Sequence, residues 1–198
     1  MNYEKEMYNV INTLNGTPKL LLHSCCAPCS SAVISLLSDY FKITVFYYNP
    51  NIDTYDEYNK RKKEQIKFIN EFPAKNKVEF KDCDYDQEAF LKSVKGLENE
   101  PERGSRCPVC FKLRLFKTAQ EAVKDSFDYF ATTLTVSPYK NSKQINEIGL
   151  FLEKQLNIKY LVSDFKKHDG YKKSIEYSKE YNLYRQNYCG CKFSKKNV

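Results

Sequence analysis

Residues 19–31 have the sequence KLLLHSCCAPCSS, and this stretch decides the fold. Its first part, 19–23, is a short apolar run that predicts a buried β-strand. Pro28 is favoured in the first turn of a helix, so the apolar residues 32–37 predict a helix directly after the strand. In open α/β sheets this end of a strand is where ligands bind, and three cysteines stand there.

The same alternation of strands and helices continues along the chain. Further strands are predicted at 43–48, 78–80, 127–133 and 158–162, and helices at 3–14, 54–71, 111–123, 145–156 and 172–181. This alternation predicts an α/β protein with a parallel sheet flanked by helices. Because no repeat, low-complexity tract or linker interrupts residues 1–198, we expect a single domain.

The chain carries an excess of positive charge. Its 32 Lys and Arg residues outnumber 25 Asp and Glu residues, which gives a net charge of +7. This sign favours a polyanionic partner, since basic groups displace counterions condensed on phosphates; a solvated lysine-rich surface is the alternative. The N-terminus lacks a signal peptide's apolar core, and no apolar run approaches the roughly 18 residues that span a bilayer. We therefore expect a cytoplasmic protein without a membrane partner.

Seven of the eight cysteines fall into three clusters. These are Cys-Cys-x-x-Cys at 25–29, Cys-x-x-Cys at 107–110 and Cys-x-Cys at 189–191. Thiols stay reduced in the cytoplasm, so metal or redox chemistry explains the clusters better than structural disulfides. Cys29 and Cys107 lie near predicted helix N-termini, which lower thiol pKa values and favour metal-binding thiolates. Cys83 stands apart and is predicted to be a small residue at a strand end.

The spacing leaves two kinds of metal site open. Two Cys pairs can form a tetrahedral zinc site. However, the chain is long enough to fold without a metal, and seven thiols exceed the four ligands of one zinc ion. A four-thiolate iron–sulfur cluster, with a further metal or dithiol nearby, uses all seven. The chain has no Walker loop and no Gly-rich dinucleotide motif, so the electrons must come from an external donor.

Five motifs in order along the chain resemble those of the QueH family of epoxyqueuosine reductases. They are LHSCCAPCS at 22–30, YNPNI at 48–52, RCPVCF at 106–111, TTLTVSPYKN at 132–141 and LYRQNYCGC at 183–191. The resemblance implies the last step of queuosine synthesis, in which an epoxide on the wobble base of tRNA is reduced to an alkene and the oxygen leaves as water. It also implies a 4Fe-4S cluster and a fold related to the adenine-nucleotide α-hydrolases.

The resemblance also implies roles for the cysteines. Four of them are expected to bind the cluster, namely Cys25, Cys26, Cys107 and Cys110. Cys189 and Cys191 are expected to be catalytic. They either form a redox-active disulfide, which is strained across one residue and therefore easily reduced, or join Cys29 in binding a mononuclear iron beside the cluster. The first strand-to-helix turn lacks glycine and Pro28 removes a backbone donor, so we expect no ATP dependence.

Other candidate residues concern the tRNA. The predicted phosphate contacts are Lys140, Lys143, Lys166, Lys167, Lys172, Lys173 and Arg185. Tyr47, Tyr48 or Tyr184 is predicted to stack on the everted base, although packing in the core explains Tyr47 equally well. Asp164 or Tyr139 is predicted to donate a proton. Two other functions stay open: a zinc-stabilised tRNA-binding module without catalysis, and a thiol–disulfide oxidoreductase that acts on proteins.

Overall fold

Five parallel strands form one sheet in the computed structural model, which describes residues 1–195. Their order is β3-β2-β1-β4-β5, with β1 Lys19–His23, β2 Lys42–Tyr47, β3 Glu79–Asp82, β4 Tyr129–Thr132 and β5 Lys159–Tyr160. The helices are α1 Tyr3–Asn12, α2 Ala27–Leu37, α3 Tyr55–Glu71, α4 Gln87–Ser93, α5 Arg106–Lys124, α6 Ser142–Leu156 and α7 Gly170–Glu180, with 3₁₀ turns at Thr133–Val136 and Lys192–Ser194. The predicted α/β class with a parallel sheet is confirmed.

The central strand β1 is buried on both faces. Leu20 and Leu22 pack into one apolar cluster together with Val33 of α2. Leu21, which points to the opposite face, packs into a second cluster together with Leu115 of α5. Burial on both faces explains why the strand is a continuous apolar run rather than an alternating pattern.

The strand order places a ligand-binding edge at the end of β1. This strand has β2 on one side and β4 on the other, and its last residue, His23, is in register with Phe46 and Thr132. In open α/β sheets, ligands bind outside the carboxyl ends of the strands where the strand order reverses. Cys25 and Cys26 follow β1 at this edge.

Several element boundaries differ from the prediction, and two of these differences and one unpredicted helix have a local physical cause. Helix α5 begins at Arg106 rather than at residue 111, because Pro108 lies in the first turn, where backbone N–H groups have no intrahelical acceptor. Strand β5 contains two residues instead of 158–162, since only these pair with β4 at the sheet edge. Helix α4 has no predicted counterpart because its seven residues are too few to show periodicity. Within residues 1–195, every helix is too short or too polar to span a bilayer.

Gly149 in α6 yields a stability prediction. A methyl group at this position would overlap the ring of Tyr160 in β5. Alanine favours a helix over glycine by about 0.5–1 kcal/mol, whereas overpacking costs about 1–3 kcal/mol. We therefore expect Gly149→Ala to lower the urea midpoint of unfolding.

The double variant Gly149→Ala/Tyr160→Leu serves as the control. The Tyr160 hydroxyl is buried without a hydrogen-bond partner in residues 1–195, so its removal breaks no hydrogen bond. The smaller leucine should make room for the methyl group and raise the midpoint above that of Gly149→Ala alone. A single variant as stable as the wild type would contradict this packing of α6 on β5.

Candidate metal centre

Three thiols, here called the cysteine trio, meet at the junction of β1 and α2. Cys25 follows the strand, Cys26 is the N-cap residue of α2, and Cys29 lies in the first turn of that helix. Their Sγ atoms lie within 4.8 Å of one another, and those of Cys25 and Cys26 are 3.8 Å apart. Thiolates on one tetrahedral metal ion are also roughly 3.8 Å apart, so the trio suits a metal ion. No other group of three or more Cys, His, Asp or Glu side chains in residues 1–195 is this compact.

The three thiols of the cysteine trio differ in pKa. Hydrogen bonds from Cys26 and Cys29 lower the pKa of Cys25 well below the usual thiol value. The hydrogen bond with Cys25 raises the pKa of Cys26 to about 11, and it raises the pKa of Cys29 as well. Burial raises the pKa of Cys107, so the prediction that helix N-termini lower the pKa values of Cys29 and Cys107 is wrong. The trio therefore favours one thiolate beside two thiols. A metal cation that binds all three must release the remaining protons.

The other two cysteine clusters line a small cavity, and two of its lining residues, Arg114 and Lys140, lie close enough to Cys25 for their charges to lower its pKa. Cys107 and Cys110 come from the beginning of α5, and Cys189 and Cys191 from the C-terminal segment. Cys107 also packs against the apolar cluster that contains the first two cysteines of the trio. The fold thus brings residues from all three sequence clusters to the same edge of the sheet.

The backbone of the C-terminal cysteines packs closely against residues 51–53, and Gly190 lies at the point of contact. The Gly190 carbonyl accepts a hydrogen bond from the Asp53 backbone N–H at 2.8 Å, and Asn51 Nδ2 donates to the Cys189 carbonyl at 3.4 Å. Gly190 has a φ of 103°, and a Cβ there would lie 3.0 Å from Ile52 Cγ1 and 3.2 Å from Arg61 Nη1. Only glycine meets both conditions, which explains the Cys-Gly-Cys sequence.

Arg106 links the C-terminal segment to the loop before α5. Its side chain is 2% exposed, and Nη1 donates to the carbonyls of Leu97, Glu98 and Glu100 at 2.6–3.1 Å. Its guanidinium also lies 4.9 Å from the ring centroid of Phe193, in the turn that follows Cys191. One buried cation therefore fixes both walls of the cavity.

Arg114 connects the trio's side of the site to α5. The side chain is 3% exposed; Nε donates to His23 Nε2 at 3.2 Å and Nη2 donates to Asn49 Oδ1 at 2.6 Å. Burial, followed by the charge of Arg114, lowers the pKa of His23 to about 3, so the imidazole is neutral. Its Nδ1 is hydrogen-bonded to Thr132 Oγ1 at 2.8 Å, and its Nε2 also lies 3.2 Å from the Tyr48 carbonyl oxygen. His23 is therefore a structural residue that links β1 to β4 and α5.

The cations at the site lack carboxylate partners. Within residues 1–195, neither Arg114 nor Lys140 has an Asp or Glu oxygen within 4.0 Å. Burial lowers the pKa of Lys140, but attraction by Cys25, Cys29 and Cys189 outweighs it, so the pKa is raised. A buried cation without an anion costs several kcal/mol, so this site favours thiolates and their metal complexes.

The sequence analysis did not identify Arg114. The helical spacing could have identified it, because Arg114 lies four residues after Cys110 and therefore on the same face of α5. Cys83, by contrast, follows β3 as predicted and does not line the cysteine cavity.

Two of the three tyrosines predicted to stack on a base are buried. Tyr47 is 0% and Tyr48 4% exposed, so the prediction is wrong for these two. Both rings are buried because a parallel sheet is covered on its two faces. Tyr184 is partly exposed, with Lys60 Nζ 3.6 Å from its ring centroid.

Of the two predicted proton donors, Tyr139 lines the cysteine cavity, whereas Asp164 is paired with Lys166.

The predicted phosphate-binding side chains are spread over the surface. Lys140 lines the cysteine cavity. Lys143 pairs with Glu147 at 3.8 Å, and Arg185 donates to the Ser174 carbonyl at 3.1 Å. The remaining members of the set, Lys166, Lys167, Lys172 and Lys173, lie between β5 and the first turns of α7.

Comparison with known proteins assigns the family. The family model described as epoxyqueuosine reductase QueH matches residues 20–197. The epoxyqueuosine reductase QueH of Streptococcus pyogenes serotype M1 is 46% identical, over 99% of this chain and 79% of the relative. That of Staphylococcus epidermidis is 43% identical over 98% and 84%, and that of Thermotoga maritima is 37% identical over 88% and 89%. The chain therefore belongs to the epoxyqueuosine reductase QueH family.

Proposed function

We propose that this protein is an epoxyqueuosine reductase that acts on tRNA. The reaction takes epoxyqueuosine at the wobble position, two electrons and two protons, and yields the alkene of queuosine and one water. The observation that supports this proposal is a compact trio of cysteines after β1, together with a cavity that is lined by the other four clustered cysteines and by buried arginines without a carboxylate partner in residues 1–195. Family membership supplies the substrate class.

The donor set suits a 4Fe-4S cluster. Cys25, Cys26, Cys107 and Cys110 are the proposed ligands, and thiolates are the usual ligands of such clusters. Arg114 lies beside both ligand pairs, because it donates to His23 just before the first pair and lines the cavity with the second. Its positive charge offsets the negative charge of the thiolates. When bound, the cluster supplies electrons one at a time.

Cys189 and Cys191 are the proposed catalytic residues, with two roles to distinguish. As a dithiol, they would give up two electrons and two protons on forming a disulfide, which matches the stoichiometry of the reduction. As metal ligands, they would join Cys29 in binding a mononuclear iron. Cys29 Sγ lies within 4.8 Å of the Sγ atoms of the proposed cluster ligands Cys25 and Cys26, which suits an iron beside the cluster. The cavity that Cys189 and Cys191 share with Cys107 and Cys110 supports electron transfer between the C-terminal pair and the cluster.

The partners follow from charge and from the motifs of the chain. The net charge of +7 suits tRNA. Electrons come from an external donor, since the sequence has no nicotinamide- or flavin-binding motif. Helix α2 begins with Pro28 in its first turn and without glycine, so ATP has no phosphate cradle there and the reaction proceeds without it. We further propose that the chain is one cytoplasmic domain.

The first prediction concerns cofactor and activity together. Anaerobically purified protein should contain about four iron and four sulfide per chain and should reduce epoxyqueuosine in tRNA without ATP. About five iron with four sulfide would indicate the additional mononuclear iron. Separate Ser variants of Cys25, Cys26, Cys107 and Cys110 should lose sulfide and turnover.

Cys83→Ser is the matched control for these variants. Cys83 is a partly buried thiol outside the cysteine cavity, so its loss should leave iron, sulfide and turnover unchanged. Zinc in place of iron, no sulfide and no turnover would instead support the zinc-stabilised tRNA-binding module.

The second prediction concerns the C-terminal pair. Cys189→Ser and Cys191→Ser should each lower turnover by about 100-fold or more and keep the sulfide content. If the pair binds a mononuclear iron, each variant and Cys29→Ser should lose about one iron atom. If the pair is a redox dithiol, the iron content stays the same and Cys29→Ser remains active. Full turnover of both C-terminal variants with an intact cluster would refute the catalytic assignment.

A further inference from the structure

Tyr139 is an unusual residue on the surface of the protein. Residues 1–195 expose seven large apolar or aromatic side chains, and Tyr139 is the one among them that lines the cysteine cavity. It is 61% exposed and lies in the turn between the 3₁₀ turn Thr133–Val136 and α6. A residue that both lines the cavity and faces solvent lies at its mouth. Its ring is therefore placed where a substrate must enter.

Arg103 lies on the ring of Tyr139. Its Cζ is 5.3 Å from the ring centroid, a cation–π distance. Arg103 has a φ of 75°, a left-handed conformation that is costly for a residue other than glycine. Its backbone N–H donates to Cys107 Sγ at 3.2 Å, which ties this loop to a cysteine of the cavity. The mouth is thus lined by two exposed planar groups, one of them on strained backbone.

The size of the cavity limits where a base can bind. It encloses about 50 Å³, enough for a few waters at roughly 15 Å³ each. A nucleobase therefore cannot enter it fully and must lie at the mouth. Unpaired RNA bases stack on aromatic rings and on guanidinium planes, which are the two groups present there.

The charges at the cavity suit RNA as well. Its charged lining residues are Glu102, Arg103, Arg106, Arg114 and Lys140, four cations and one carboxylate. Such a balance attracts the phosphates that flank a base in an anticodon loop.

We propose that the Tyr139 ring and the Arg103 guanidinium sandwich the everted wobble base of tRNA and hold it over the cysteines. This inference rests on the proposed function and adds to it the residues that position the substrate. Tyr139 acts through the face of its ring, and its hydroxyl is not required. The base enters between two groups that contact each other in the free protein, and both of them are exposed side chains on loop segments.

Steady-state kinetics of the holoenzyme with epoxyqueuosine-containing tRNA test the role of Tyr139. Tyr139→Leu should raise KM roughly 5- to 100-fold, because a stacked base is lost, with iron and sulfide contents unchanged. Tyr139→Phe keeps the ring and should stay within about twofold of the wild type. Tyr55→Leu is the matched control, since Tyr55 is also 61% exposed but does not line the cavity. A Tyr139→Phe variant as impaired as Tyr139→Leu, or an unimpaired Tyr139→Leu, would overturn the proposal.

Two variants of Arg103 distinguish the contribution of the flat guanidinium group from that of its positive charge. Arg103→Lys keeps the charge and loses the guanidinium plane, so it should raise KM nearly as much as Arg103→Met. A lysine variant with wild-type KM would show that charge alone matters, against the sandwich.

A binding experiment separates this inference from the proposed function. An anticodon stem–loop with 2-aminopurine at the wobble position should show fluorescence quenching by stacking with the wild type and Tyr139→Phe, and lose that quenching with Tyr139→Leu. A wild type that does not reduce epoxyqueuosine refutes the proposed function. A wild type that reduces it, with equal quenching by Tyr139→Leu, refutes only the sandwich.

Discussion

The site depends on the buried positive charge of Arg114, which no carboxylate neutralises within residues 1–195. Arg114 donates to His23 at the end of β1 and to Asn49 in the loop after β2, and it extends from α5, which carries Cys107 and Cys110. Removing either acceptor would leave a buried donor unsatisfied, at a cost of about 1–3 kcal/mol. The network therefore fixes the distance between the cysteines of β1–α2 and those of α5. It also provides the charge that thiolate ligands need in a buried environment.

The order of the strands explains why this edge carries the chemistry. Because β1 is central and has neighbours on both sides, the segment after it opens above the middle of the sheet. Residues far apart in sequence converge there: His23 and Thr132 are 109 positions apart, and Arg114 lies 91 positions after His23. A parallel sheet creates such contacts because each of its crossover connections returns the chain to the same edge.

The sequence was informative where local chemistry determines structure. The bounds of β1 were predicted correctly from the apolar run, and the parallel sheet followed from the alternation of elements. The burial of Tyr48 was not foreseen, and that of Tyr47 was only one of two alternatives, since a tyrosine near a strand end has the same local sequence whether its ring faces solvent or the core. The contact between Arg103 and Tyr139 joins two loops whose conformations are set by tertiary packing, so no periodicity reveals it.

The three cysteine clusters also differ in how firmly the backbone holds them. The first cluster follows the central strand, and the second lies in the first turns of the 19-residue helix α5, so both are attached to regular hydrogen-bonded elements. The third lies in an irregular segment that is held by Gly190, by Arg106 and by a short 3₁₀ turn. Segments with few regular hydrogen bonds open at lower free energy than core strands and helices. A change of oxidation state or of ligands at Cys189 and Cys191 can therefore be accommodated locally, while the proposed cluster ligands stay fixed.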